Sequence, residues 1–445
     1  MHSRELANSI CETLHRYGYQ AFLVGGCVRD LLLGREPADF DVTTDAVPER
    51  VLRLFPDGIT VGAQFGVVLI SRNGNKVEVA TFRHDVGYSD GRHPDQVVYA
   101  KKPEEDVSRR DFTINGLLMR HDSGEVLDFI GGQDDLKAGV IRAIGEPQRR
   151  FTEDKLRMLR AVRFAARFGY RIEPETFAAI QKHAAEIHVV SAERIHEELS
   201  KLLTEGAARR GFELLDQSGL LKELLPEISA MQGVPQPPEY HPEGDVWIHT
   251  LLMLEGLPAG CSRTLAWGVL LHDVGKPPTF RPAAVTGDRI RFDSHVEVGV
   301  SMAGEICRRL KFSRDETEQV QALVSNHMKF KDVSQMRRST LKRFVRLPLF
   351  TEHMELHRLD CQASHGRLDA YTLVRDFLAD TPPEQVRPTR LLTGDDLSEM
   401  GYAPGPEYQK ILAALEDAQL EGTLTTKEQA VTFVRRHYPS ARVGR

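Results

Sequence analysis

The sequence predicts an α+β head followed by all-helical domains, and three observations carry that expectation. Short apolar and β-branched runs at 21–24, 39–43, 67–71 and 76–82 alternate with helical stretches only in the first third of the chain. From residue 147 the apolar periodicity becomes helical and stays so, through KLRMLRAVRFAARF, PETFAAIQKHAAEI, ERIHEELSKLL and RGFELLDQSGLLKELL. Proline clusters then punctuate the helical part at VPQPPEYHPEGD (234–245) and DTPPEQVRP (380–388). The boundaries that follow are a head over 1–146, a neck and body over 147–235, a third domain over 236–380 and a helical tail over 381–445. A chain of 445 residues needs several cores, because a single core seldom passes ~250 residues. No internal repeat of roughly 20 to 50 residues is present to suggest a solenoid.

Composition narrows the class. A hydrophobic share of 41% and a charged share of 27% describe an ordinary globular protein. Five cysteines without a CxxC pair are too sparse for a secreted disulfide framework. The N-terminus reads as an amphipathic helix without an apolar signal core, and no run approaches the ~18 apolar residues of a membrane span. The expected location is cytoplasmic, with no membrane and no protein partner implied. The net charge of −6 argues against nucleic acid as a partner, but between Arg142 and Arg171 nine Lys/Arg face three Asp/Glu. A basic stripe on an acidic body leaves RNA open.

The densest chemistry lies in FLVGGCVRDLLLGREPADFDVTT (22–44). On a strand, residues two apart face one side, so Asp39 and Asp41 would project together. Two carboxylates that close repel unless a hard divalent cation lies between them, and magnesium is the natural occupant. Upstream, Gly25 and Gly26 end a strand, a helix start offers free N–H groups to an anion, and Arg29 adds a fork of donors. A triphosphate fits, its oxygens bridged to the aspartates by the metal. Alone, a glycine pair is a turn and DxD a solvated strand end; their spacing together argues for the site.

These residues resemble the class II nucleotidyltransferases of the polymerase-β superfamily, which include bacterial CCA-adding tRNA enzymes, A-adding relatives and poly(A) polymerases. The likeness rests on VGGxVRDLLLG…DxD, SRRDFTINGL (108–117), DFIGGQDDL (128–136), EDKLRMLRAVRFAARFGY (153–170) and ERIHEEL (193–199), in order over the first 200 residues. It implies a polymerase-β-like head, with Gly26 and Arg29 at the triphosphate and Asp39 and Asp41 as Mg2+ ligands. Glu78 would be the third carboxylate, and Arg110 and Asp111 would contact triphosphate and sugar. The stretch 84–106, with Asp90, Gly91 and Arg92, resembles at full length the loop needed for A addition. VGAQFG (61–66) lacks the basic pair that the poly(A) polymerases carry there. CCA-adding and A-adding enzymes share every one of these motifs.

Base choice has its own chemical logic. Cytosine and adenine share an exocyclic amino donor beside an unprotonated ring nitrogen, which guanine and uracil lack, so an acceptor next to a donor selects both. Asp154 and Arg157, at i and i+3 on a helix, would present such a pair. Arg160 is next nearest the base. Arg163, turned ~120° from Arg157 at ~100° per residue, is left for phosphates or packing. The tRNA would be read by shape and phosphates, with the basic run RRSTLKRFVR (337–346) a further candidate contact.

Beyond residue 236, WIHT, LLHDVGKP, FDSHVEVG, SNHMKF and LHRLD set His249, His272, Asp273, His295, His327 and Asp360 in an H…HD…H…H…D series. Imidazoles and carboxylates spread over several helices suit a divalent transition metal or magnesium activating water. The series resembles the HD superfamily of metal-dependent phosphohydrolases, whose members attached to such heads are sometimes only structural. The expected function is Mg2+-dependent, template-independent transfer of CMP and AMP from CTP and ATP to the 3′ end of tRNA. Two rivals are an HD phosphohydrolase with an RNA-binding head and a catalytically silent tRNA-binding protein. The retained Asp39, Asp41 and Glu78 speak against both.

Overall fold

The computed structural model describes residues 3–61, 66–87 and 96–439. They form two compact units: Met1–Ala230 with Leu257–Arg263 and Ile306–Phe312, and Met231–Gly256 with Thr264–Glu305 and Ser313–Arg445.

In the first unit the β-branched runs become strands β1 (Ala21–Val24), β2 (Phe40–Thr44), β3 (Ile59–Val61), β4 (Val67–Arg72), β5 (Asn75–Thr81), β6 (Arg83–Val86), β7 (Gln96–Tyr99), β8 (Leu118–Met119) and β9 (Val126–Leu127). Seven of them form one sheet in the order β3-β4-β5-β2-β1-β8-β9, while β6 and β7 make a separate antiparallel hairpin. That hairpin occupies part of the stretch expected to be a polar loop, 84–106. Asp90, Gly91 and Arg92, and most of VGAQFG, lie outside the described residues. The helix Ser3–Arg16 buries Leu6, Ala7, Ile10 and Leu14, one stripe at helical spacing, against the sheet.

One pairing positions the site. β2 and β5 run parallel with Asp41 opposite Glu78, so two carboxylates 37 positions apart in the chain stand side by side on one face. Asp39 sits just before β2 rather than within it, in the turn that leads to Phe40. The third motif serves as a brace: Asp128 Oδ1 accepts from Ile130 N and Gly132 N, and Oδ2 from Gln133 N. A Cβ on Gly132 would lie 2.2 Å from Thr113 O, so this loop fits only as glycine under the turn Thr113–Asn115. The helix Leu156–Phe168 packs on Ala192–Thr204 and Ala208–Gln217.

The second unit is almost entirely helical. The run 337–346 forms the helix Arg338–Phe344, and three of its five basic residues are engaged within the fold. Arg343 pairs with Asp417 and Glu416, Arg346 with Glu416 at 2.7 Å, and Lys342 Nζ donates to Leu420 O at 2.8 Å. The acids absent from the run itself come from the helix Pro406–Glu421. Among the described residues no helix is long and apolar enough to cross a membrane.

Candidate functional site

In the first unit, a cavity of about 530 Å³ is lined by Gly25, Gly26, Arg29, Asp41, Arg110, Asp111, Asn115, Asp154, Arg157, Arg160 and Arg163, among others. Nearly all the nucleotide-binding candidates therefore meet in one place. Gly25 takes φ +76°, and a Cβ there would lie 3.3 Å from Arg110 Nη1; a glycine relieves both the strain and the crowding. Arg29 is buried, with Nε on Asp30 Oδ1 at 2.8 Å and Nη1 on Asn115 Oδ1 at 2.6 Å, and its guanidinium lies 4.7 Å from the Phe168 ring centre. It is a rigid cation already held by the frame.

Burial, with the Glu78 and Asp39 charges, pushes the Asp41 carboxyl up to about 6, against the pull of Arg110. A cation beside Asp41 would favour its charged form against that burial. The donors are all hard oxygens, which suit Mg2+, although Asp39, Asp41 and Glu78 are not drawn within 4.8 Å of one another among the described residues. Burial would raise Asp111 too, but Arg160, through Nε at 2.9 Å and Nη2 at 2.6 Å, and Asn115 hold it down to about 2.

The expected Asp154–Arg157 helix pair is corrected by the backbone. Asp154 ends the helix Pro147–Glu153 in an extended conformation, φ −145° and ψ 105°. Its Oδ1 accepts from Leu156 N at 3.0 Å, opening the next helix. Asp154 then pairs with Arg194 at 2.9 Å, while Arg157 pairs with Glu153 at 3.0 Å and donates to Arg109 O at 2.8 Å. Both still line the cavity, but each is held by a different partner. Arg163, left for phosphates or packing, is buried against Glu198 at 2.7 Å and Glu205 at 3.2 Å. The basic stripe is thus largely matched by acids from other elements.

The second unit gathers the H…HD…H…H…D series. Donor atoms of His249, His272 and Asp360 lie within 4.8 Å of one another, as do those of Asp273, His295 and His327. Four Nε2 atoms, of His249, His272, His295 and His327, are buried without an aligned hydrogen bond. Their nearest neighbours are carboxylates: His249 Nε2 lies 3.2 Å from Asp360, and His272 Nε2 3.1 Å from Asp273. Such a set of orphaned nitrogen lone pairs facing anions fits a divalent metal. Burial would raise Asp360 and Asp273, but the imidazoles, with Lys276 beside Asp273, hold both well below the usual carboxylate range. Burial pushes His327 down to about 4; in His249 it is outweighed by Asp360 and Glu243, which lift it to about 9. Gly275 lets the parts meet: a Cβ there would lie 2.1 Å from His295 O and 2.6 Å from Gly299 N.

Sequence reasoning missed His241 and Glu243, which form a third such group with His249. The HPEGD run holding them has the donor types of a site, but its prolines read as a linker.

Residues 21–142 match the poly A polymerase head domain, 169–232 the probable RNA and SrmB-binding site of polymerase A, and 246–357 the HD domain. The CCA-adding enzyme of Latilactobacillus sakei is 40% identical over 270 residues, 60% of this chain and 68% of the relative. That of Geobacillus stearothermophilus is 42% identical over 214 residues, 48% of this chain and about half, 53%, of the relative. A crystal structure of the Bacillus stearothermophilus CCA-adding enzyme in complex with CTP superposes with TM-score 0.74 at 26% identity, covering 98% of both chains. The Thermotoga maritima CCA-adding enzyme complexed with tRNA shares the fold, with TM-score 0.58 at 20% identity over 97% of this chain and 94% of that one.

Proposed function

Because this chain belongs to the CCA-adding tRNA nucleotidyltransferase family, we propose that its head cavity is the site at which CMP and AMP are transferred from CTP and ATP to the tRNA 3′ end. The pairing of β2 with β5 carries the reading, since it sets Glu78 beside Asp41, and Asp41 lines a cavity rich in arginines. Asp39, Asp41 and Glu78 hold Mg2+, which when bound lowers the pKa of the primer hydroxyl and steadies the leaving pyrophosphate. Gly26, Arg29 and Arg110 take the triphosphate, with Arg29 pre-set by Asp30 and Asn115 so that little ordering is required on binding. Asp111, pinned by Arg160, orients the sugar.

Asp154 accepts the exocyclic amino group of the base and Arg157 donates to the adjacent ring nitrogen, which admits cytosine and adenine alone. Arg194 and Glu153 aim these two side chains. Arg163 supports the wall through Glu198 and Glu205 rather than reaching the base. The domain limits 1–146, 147–235, 236–380 and 381–445 are kept as functional divisions, the third being an HD site for a divalent transition metal that hydrolyses phosphate esters. The protein acts in the cytoplasm.

The test is a labelled-nucleotide assay on one tRNA truncated to three 3′ ends: before the first C, after one C and after CC. Addition of two C and one A, with no use of GTP or UTP, is expected. Addition of A only to the CC end would make it A-adding, and long A tracts on unstructured RNA would make it a poly(A) polymerase.

A further inference from the structure

The four ligand histidines of the HD site are not held alike. His272, His295 and His327 each turn Nδ1 onto the main-chain carbonyl three residues back, on Val269 at 2.8 Å, Phe292 at 2.9 Å and Val324 at 2.7 Å. A neutral carbonyl fixes the Nδ1–H tautomer and leaves the Nε2 lone pair for a metal. His249 stands inside the helix Val246–Glu255, where the carbonyl three residues back, on Val246, already accepts from Thr250 Oγ1 at 2.8 Å. Its Nδ1 turns instead to Glu243 Oε1 at 2.7 Å, and the same oxygen meets His241 Nδ1 at 2.9 Å.

We propose that Glu243, steadied by His241, is a positioning residue that turns His249 Nε2 toward the metal and makes it the most electron-rich imidazole of the HD site. This rests on the reading that the HD series holds a divalent metal. The strap that carries Glu243 is built for placement. Asp245 anchors its far end, Oδ1 capping the helix at Ile248 N at 2.8 Å and Oδ2 accepting from Gly233 N at 2.6 Å. Between the two acids Gly244 takes φ +133°, a conformation that L side chains rarely adopt. The Glu243 side chain is only 7% exposed and Oε2 has no hydrogen-bond partner, so its charge is aimed through the imidazole rather than spent on solvent. A charged carboxylate accepts the Nδ1–H more strongly than a neutral carbonyl and so raises ligand basicity further. A metal held by His249, His272 and Asp360 therefore gains affinity from Glu243.

The test is Co2+ binding to the full-length, metal-free chain in a D39A/D41A background that silences the head carboxylates, followed by visible absorption with a competing chelator. E243A is expected to weaken Co2+ binding at the HD site by about 10- to 100-fold, the range for lost outer-shell partners. E243Q, which still accepts a hydrogen bond but carries no charge, should recover part of that loss. The metal-free melting temperature should fall in E243A, which leaves His249 and His241 without their Nδ1 partner, and less in E243Q, while tRNA nucleotide addition by each in the wild-type head should match the parent. An affinity for Co2+ unchanged in E243A and E243Q overturns the role of Glu243 alone. A parent chain that binds no Co2+ at the HD site overturns the metal reading and this proposal with it. If E243A fails to fold, E243Q decides by the same measurement.

Discussion

Replacing Arg163 with Met tests whether the arginines of the helix Leu156–Phe168 build the cavity wall or bind its ligand. Arg163 Nε lies 2.7 Å from Glu198 Oε2 and Nη1 3.2 Å from Glu205, with the Arg163 and Glu198 side chains only 7% and 6% exposed. Removing one partner of a buried pair leaves an uncompensated charge, at a cost of about 3–5 kcal/mol. Here Arg160 Nη1, 3.8 Å from Glu198, compensates part of it, so we expect about 3 kcal/mol. For a unit of this size that is a fall of roughly 6–12 °C in melting temperature, read by circular dichroism or calorimetry. R163M/E198L, which removes both charges, should recover most of the loss. A fall below ~3 °C in R163M, combined with a rise in KM for CTP and ATP, would refute the wall reading and return Arg163 to the nucleotide.

D39A, D41A and E78A should each lower kcat by about 10³-fold or more, equal to ~4 kcal/mol of barrier, while filter binding of tRNA stays near that of the parent; appreciable extension by any of them would remove that carboxylate from the site. H272A or D273A should abolish metal-dependent hydrolysis of 2′,3′-cyclic phosphates and spare nucleotide addition, because the two sites lie on separate units; absence of hydrolysis in the parent with manganese, magnesium, nickel or cobalt would make the HD site structural. R343A should leave the tRNA Kd and its salt slope unchanged, since Arg343 is already paired with Asp417 and Glu416; a slope shallower by ~1 would mean that it meets a phosphate.

Which features were legible in the sequence follows from the range of the forces involved. The α+β head, the helical remainder and the grouping of Gly26, Arg29 and Asp41 rest on strand alternation and one local motif, which are written in neighbouring residues, whereas Arg110 and Asp111 came from the resemblance. The placement of Glu78 beside Asp41 followed from the resemblance, and the register of β2 on β5 gives it a physical cause. Asp154 was misplaced because its side chain competes with the helix it was assigned to, bonding Leu156 N and breaking the chain into two helices. Local charge sums could not show how the basic segments are matched, because partners such as Glu198, Glu205, Glu416 and Asp417 are distant in sequence. Glu243 and His241 escaped because a histidine's second hydrogen bond leaves no pattern in spacing.

Base choice made by protein side chains is the central claim, and the ratio of kcat/KM for CTP to that for UTP, on tRNA lacking its last three nucleotides, measures it most directly. In the parent the ratio should be large, since a carbonyl in place of the amino group would face Asp154 and leave two buried acceptors opposed. D154A/R157A should collapse it toward unity, with a smaller change in triphosphate affinity because the phosphates are held elsewhere. A ratio that survives the double substitution would contradict the account and place base selection outside Asp154 and Arg157.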